Sequence, residues 1–455
     1  MHIKKYINDP LLIITKSLNY AIILIFPAFG PVINKASNID SGVIFGSFFL
    51  FFLLMSILIP PKAYENKKYY MESLIIICSL LTALFNFLPE TLKFLYLALL
   101  GYTSGRITVF WSYLFLKNTH KDQFVQIISS VLFISYFLLY ISNAITPSLS
   151  TNLAIFFMVL LFIIMFFCYK KTFKDHLVFS TKTKAHAATN NIDFPYSLFI
   201  VIFLIFLTAG NTYAGIYPNL KRYELWERYY NVFPFLLAIL SSRFIAKRWG
   251  YEIFLHLGIC FLGLSFIFNT LNPSTSTYLL IQTSLQVGWA FMDIFVWVVG
   301  AHVAVHNNRP QLLLYFIVSF LSGTFIGSII TTFFKNYLLS NYGLVSNFLT
   351  HLPIFIAIIF LNKVSKYLSN LSIASETVIE PIDLFENEIF IPLTPREKEV
   401  IRLLSKNMPN TIICEELFIS PNTLKTHSRN IYRKINVKNK RELVSLIHQM
   451  QNHNL

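Results

Sequence analysis

Lys425, Arg429, Arg433 and Lys434 recur near the C-terminal end of this chain, with Thr423, Thr426, His427 and Asn430 between them. At helical spacing these side chains form one cationic, hydrogen-bonding ridge. A basic helix of ~15 residues fits the major groove of a duplex, where its cations meet phosphates and its polar tips meet base edges. Eleven Lys and Arg oppose five Asp and Glu over residues 392–455, which supplies the attraction to a polyanion. A second chemistry sits in apolar surroundings. Arg106 and Asp293 each interrupt a long hydrophobic stretch, and charge in hydrocarbon is costly enough to mark a functional position. With Trp111, Trp289 and Trp297 they form a candidate small-molecule site, Arg106 facing an anionic group. His302 and His306 are four residues apart, but no third ligand accompanies them. No metal site is assigned there, and an interfacial role is expected. The sequence offers no nucleophile–base pair and no phosphate-binding loop, so neither an enzyme nor a cofactor is expected.

The elements that must carry these residues follow from composition. Of 455 residues, 55% are hydrophobic and 13% charged, about half the charge of a soluble average. Crossing ~30 Å of hydrocarbon takes roughly 20 apolar residues in a helix. Apolar stretches of that kind fall near 11–33, 41–60, 70–88, 92–116, 124–146, 150–169, 195–217, 226–246, 251–270, 277–301, 311–334 and 343–361. The expectation is an all-α polytopic membrane bundle of about twelve spans in two six-helix halves, 1–169 and 195–361, joined by the basic loop 170–194. Lys4 and Lys5 precede a first helix that is retained and not cleaved. With the N-terminus inside, alternate loops hold sixteen Lys and Arg and the opposite loops six. The positive-inside rule then places both termini in the cytoplasm, on an inner membrane. A short interfacial helix is expected near 218–228, where Glu224 and Glu227 lie among bases. Residues 362–391 read as an acidic linker carrying Glu376, Glu380, Asp383, Glu386 and Glu388. The isolated cysteines Cys78, Cys168, Cys260 and Cys414 have no metal-ligand spacing and read as reduced packing residues.

The last segment, 392–455, reads as four short helices. Thr394-Pro395-Arg396-Glu397 is a capping box with Pro at the first helical position, followed by the apolar stripe Val400, Ile401, Leu403 and Leu404. Asn410 caps a second helix that buries Ile413 and Leu417. Ser420-Pro421 caps a third with Leu424, Ile431 and Ile435 inward. Asn439 to Glu442 opens a fourth, with Leu443, Leu446 and Ile447 inward. The second and third, separated by Phe418-Ile419-Ser420, make a helix-turn-helix.

Leu393, Thr394, Arg396, Glu397, Glu399, Val400, Ile413, Leu417, Ile419, Ser420, Thr423, Lys425, His427, Ile431 and Lys434 stand at the spacing of the LuxR-type helix-turn-helix family, which this segment resembles over about 55 residues. The resemblance implies promoter binding, base-edge contacts from Lys425, Thr426 and Arg429, phosphate contacts from Thr423 and His427, and pairing through the last helix as a homodimer on DNA. Asn407 and Asn436 replace the family's turn glycines; Asn tolerates the left-handed backbone next best. The two six-helix halves resemble the major facilitator superfamily, although the charged motif that family carries between its second and third spans is missing at 60–68. The functional expectation is a membrane-anchored transcription regulator that senses a small molecule through the bundle and binds promoter DNA through its tail. The alternative is a secondary transporter with a regulatory DNA-binding tail.

Overall fold

The computed structural model describes residues 10–25, 39–59, 68–148, 151–174, 195–212, 229–269, 274–337, 342–376, 392–405 and 419–437, with the isolated positions 226, 271, 413–414, 417, 439–440, 442–443 and 446. Among these residues every regular element is helical. The chain divides into two compact units, Met1–Leu368 and Ser369–Leu455.

Among the described residues up to Glu376 lie twelve long helices: α1 (Pro10–Ile23), α2 (Ile39–Leu58), α3 (Lys68–Ala83), α4 (Glu90–Asn118), α5 (Phe124–Ser148), α6 (Thr151–Lys174), α7 (Tyr196–Asn211), α8 (Phe233–Trp249), α9 (Ile253–Phe268), α10 (Thr275–His306), α11 (Gln311–Tyr337) and α12 (Tyr342–Glu376). Their ends follow local rules. Glu90 opens α4 and Lys117 closes it, each matched to the helix dipole. Ser274 caps α10 by accepting from the Thr277 N–H at 3.1 Å. Gly250, at φ +78°, stops α8. Among the described residues five segments are long and apolar enough to cross a membrane, namely Lys121–Ala144, Asn152–Thr172, Thr275–His306, Gln311–Phe334 and Leu352–Ser369; five further apolar helices there are shorter. The chain is a membrane protein. Large side chains such as Leu95, Phe156, Phe167, Phe333 and Ile359 are exposed on the outside of the bundle, where water would not tolerate them and lipid does.

The pairing of helices shows two related halves. Within the first half α1 packs on α5 and α2 on α4; within the second, α7 packs on α11 and α8 on α10. These pairs correspond under a shift of six helices. The halves meet through α2 against α11 and α5 against α8, with α10 also reaching α5. Small residues permit the closest approaches. A Cβ on Gly101 would come within 2.7 Å of the Phe49 carbonyl oxygen, and one on Gly105 equally near that of Leu53, so α4 lies backbone to backbone on α2. Gly210, Gly323 and Gly327 do the same for α7 and α11. Without water to drive apolar burial, such contact supplies much of helix association in lipid.

One boundary differs from the sequence reading. The last membrane helix continues to Glu376, so 362–376 is helix and not linker. No Gly or Pro interrupts the chain between Pro353 and Pro381, and Val364 and Leu368 remain buried at helical spacing. The remaining linker, 377–391, the loop 175–194, most of 213–228 with the expected interfacial helix, and the turn at Asn407 lie outside the described residues.

The second unit contains α13 (Pro395–Ser405) and α14 (Pro421–Ile435). Leu393, Val400, Leu404, Ile413, Leu424, Ile431 and Leu443 form its core.

Candidate nucleic-acid interface and a buried polar cluster

Helix α14 begins where the side chain of Ser420 accepts from the Thr423 N–H at 3.1 Å, with Pro421 in its first turn. It ends at Asn436, whose φ of 62° and ψ of 44° are left-handed and whose N–H returns to the Tyr432 carbonyl. Leu424, Ile431 and Ile435 point into the core. That fixes the opposite face: Thr423, Lys425, Thr426, Arg429 and Arg433 are exposed, and His427 and Asn430 half-buried. Five of the eight expected residues are therefore solvent-facing on the helix, and His427 and Asn430 lie at its half-buried margins.

Lys434 behaves differently. Its ammonium turns back and pairs with the Glu397 carboxylate at 2.6 Å. The same carboxylate oxygen accepts from the Thr394 N–H at 2.8 Å and from its hydroxyl at 3.0 Å. The capping box of α13 is thus bolted to the last turn of α14. Glu397 is 3% exposed. Burial pushes its carboxyl up, but the Lys434 ammonium and the two Thr394 hydrogen bonds outweigh that and hold it below the usual range. Arg396 adds a second brace, donating to the Leu417 carbonyl and pairing with Glu399 at 2.6 Å. The Asn439 side chain accepts from the Glu442 N–H at 2.9 Å, as the sequence suggested for the fourth helix. Cys414 is buried in the core.

In the membrane unit the expected site residues separate into two groups. The Arg106 guanidinium donates to the carbonyls of Ser56 and Ile59, both at 2.8 Å, where α2 ends with carbonyls lacking helical partners. Trp289 packs on Phe206 of α7, ring centroids 5.5 Å apart. Trp111, Trp297 and Asp293, by contrast, converge with residues of α1 that were not singled out. The Lys16 ammonium, 2% exposed, donates to the Thr108 hydroxyl at 2.9 Å. It lies 4.6 Å from the Trp297 ring centroid, 5.6 Å from that of Trp111 and 5.8 Å from that of Tyr20. Asp293 accepts from the hydroxyls of Tyr20 at 3.2 Å and Tyr136 at 3.1 Å. Asn19 donates to the Ser104 carbonyl and the Thr108 hydroxyl, each at 3.2 Å. The missed signal was Lys16 itself, a charge inside the first assigned span. His302 stacks on Tyr251 at 4.3 Å and lies against Phe124 at 5.1 Å, and no cluster with metal-binding composition occurs among the described residues.

With this geometry in hand, comparison with known proteins is informative about each unit. The family described as bacterial regulatory proteins, luxR family, matches residues 391–447. The HTH-type transcriptional regulator MalT of Vibrio cholerae is 41% identical over 59 residues, covering 13% of this chain and 6% of that protein. The CsgBAC operon transcriptional regulatory protein of Escherichia coli is 49% identical over 53 residues, 12% of this chain and 24% of that protein. The chain thus spans 6% and 24% of these curated relatives. The crystal structure of a bacterial homologue of the iron transporter ferroportin, in an outward-facing state, overlays with a TM-score of 0.56 at 14% identity, covering 78% of this chain and 98% of that one. At that identity the likeness concerns fold alone. Residues 391–447 are a LuxR-family helix-turn-helix domain, carried by a chain whose preceding helical unit shares the fold of that ferroportin homologue.

Proposed function

We propose that this protein is a membrane-anchored transcription regulator, multi-pass in the inner membrane with both termini cytoplasmic, that senses a small molecule in its helical bundle and binds promoter DNA through α14. The observation that carries this reading is the exposed ridge of Lys425, Arg429 and Arg433 on a correctly capped recognition helix, in the same chain as the membrane helices. Lys425, Thr426 and Arg429 are placed to read base edges; Thr423, His427, Asn430 and Arg433 suit phosphates. Lys434 braces the domain through Glu397 and contributes its remaining charge to the field. The domain organisation we favour is a membrane sensor over 1–361, a tether ending at 391 and a DNA-binding module over 392–455 that pairs as a homodimer on its operator. The small-molecule site centres on Asp293, Trp111 and Trp297, with Arg106 securing the end of α2.

The test is crosslinking of the full-length chain to DNA in cells, followed by mapping of the bound fragments, beside a Lys425→Ala/Arg429→Ala variant. Discrete promoter sites lost in the variant support the reading; identical maps refute the assigned face. The second reading, a transporter with a regulatory tail, is favoured by the likeness to the ferroportin homologue. Ligand-dependent flux in vesicles bearing the chain without residues 372–455 distinguishes it.

A further inference from the structure

Resting on the sensing function proposed above, we infer that the buried cluster around Lys16 and Asp293 takes a zwitterionic amine–carboxylate ligand of the amino-acid type. The two side chains are of opposite type and buried, and both meet Tyr20, one at its ring and the other at its hydroxyl. Lys16 approaches the Tyr20 ring centroid to 5.8 Å, while the Tyr20 hydroxyl donates to Asp293 at 3.2 Å. Each charge is incompletely matched. Among the described residues the Lys16 ammonium uses one N–H, on Thr108, and otherwise meets only aromatic faces. Asp293 receives both tyrosine hydroxyls on Oδ2, and its Oδ1 accepts none among those residues. Two further polar atoms on the same stretch of α1, Thr15 Oγ1 and Asn19 Oδ1, are buried and have no hydrogen-bond partner among the described residues.

The charge pattern selects the ligand. In a low-dielectric interior an unmatched ion is costly. A simple anion would satisfy Lys16 and leave Asp293 exposed to that cost, and a simple cation would do the reverse. A molecule with a carboxylate at one end and an ammonium at the other meets both and adds no net charge. Its carboxylate takes the free N–H donors of Lys16, with the Thr15 hydroxyl as a further donor; its ammonium takes Asp293 Oδ1. Lys16 belongs to α1 of the first half and Asp293 to α10 of the second, so the bound molecule bridges the halves. The binding energy is therefore spent on their relative position, which is what a sensor requires.

The experiment uses the full-length chain in lipid nanodiscs. The probes are the twenty standard L-amino acids and, for any that responds, its decarboxylated amine and its deaminated acid. Readouts are thermal unfolding and intrinsic tryptophan fluorescence, to which Trp111 and Trp297 contribute. The expected result is stabilisation by at least one amino acid, no response to its amine or acid at equal concentration, and at least ~10-fold weaker binding in Lys16→Met and in Asp293→Asn, a loss of about 1.4 kcal/mol. Should either variant fail to fold, Lys16→Arg and Asp293→Glu keep the charge and should retain the same ranking of zwitterion over amine and acid. No response to any amino acid, equal binding of an amine or acid analogue, or unchanged binding in both neutral variants overturns the assignment. Binding of a promoter fragment by the same preparation is scored separately. Its retention without an amino-acid response removes only the ligand assignment, whereas its loss removes the regulator reading and leaves the ligand result standing.

Discussion

Replacing Glu397 by Ala should destabilise the DNA-binding unit more than any single change on its exposed face. The carboxylate makes three interactions at 2.6 to 3.0 Å, with Lys434 and twice with Thr394. Loss of a helix cap costs ~1 kcal/mol. Breaking a fully buried ion pair costs roughly 3–5 kcal/mol, but the Lys434 side chain is 28% exposed, so water rescues part of its charge and ~1–2 kcal/mol is the appropriate share. The sum is ~2–3 kcal/mol. For a unit of this size each kcal/mol moves the melting temperature by ~4–8 °C, so Glu397→Ala should lower it by ~10–20 °C. The unit 369–455 has its own core, and circular dichroism on that segment reads the change directly. The pH dependence has a defined sign. Because the folded Glu397 carboxyl titrates below its usual value, its contribution is complete above the unfolded value of about 4.3. It is lost as pH falls through the lower folded value. Glu397→Gln should remove this part of the acid sensitivity. A melting temperature within ~2 °C of wild type in Glu397→Ala would refute the brace. So would a Lys434→Met variant that loses DNA affinity as Arg429→Ala does while its stability stays unchanged, since Lys434 would then be a phosphate contact.

Three further outcomes follow from the same structure. Lys425→Ala and Arg429→Ala should each weaken binding to a specific operator by ~1–3 kcal/mol and leave helicity intact, whereas Arg433→Ala should weaken all sequences alike and reduce the salt slope by about one; fluorescence anisotropy over a salt series separates the two. Asn436→Ala should cost ~1 kcal/mol because a β-carbon without a local hydrogen-bonding partner is disfavoured in the left-handed region, while Asn436→Gly should be neutral or slightly stabilising; equal loss in both would contradict the left-handed cap. In the bundle, Gly105→Leu should separate α4 from α2, disturb the Arg106 bonds to Ser56 and Ile59, and lower the yield of folded protein from detergent, measured against an exposed control such as Leu95→Ala.

The DNA-binding unit was largely legible before its structure. Thr394 with Glu397, Ser420 with Thr423 and Asn439 with Glu442 each interact across three residues, and Asn436 closes its own helix. Such interactions depend on the chain nearby, so residue type and spacing suffice to read them. The inward set Val400, Leu424, Ile431 and Ile435 was equally readable, because water on one side and a core on the other impose a helical period. The bundle followed a different logic. Its helices could be located by length and apolarity, but the lipid-facing and buried sides are both hydrophobic, and no period distinguishes them. Which helix meets which could not be derived from such a pattern.

Residue type alone established that Lys434 and Arg106 are cations in informative places; where each of them goes, and that Lys16 belongs beside them, is a tertiary matter. Lys434 reaches back 37 positions to Glu397, Arg106 reaches 50 to Ser56, and Lys16 reaches 92 to Thr108. Long side chains choose among partners that only packing brings within ~3 Å, and a charge removed from water is committed to whichever partner arrives. Local hydrogen bonds and polarity therefore wrote the helices, the membrane and the recognition ridge into the sequence. The brace under that ridge and the partners of the buried charges within the bundle came from folding alone.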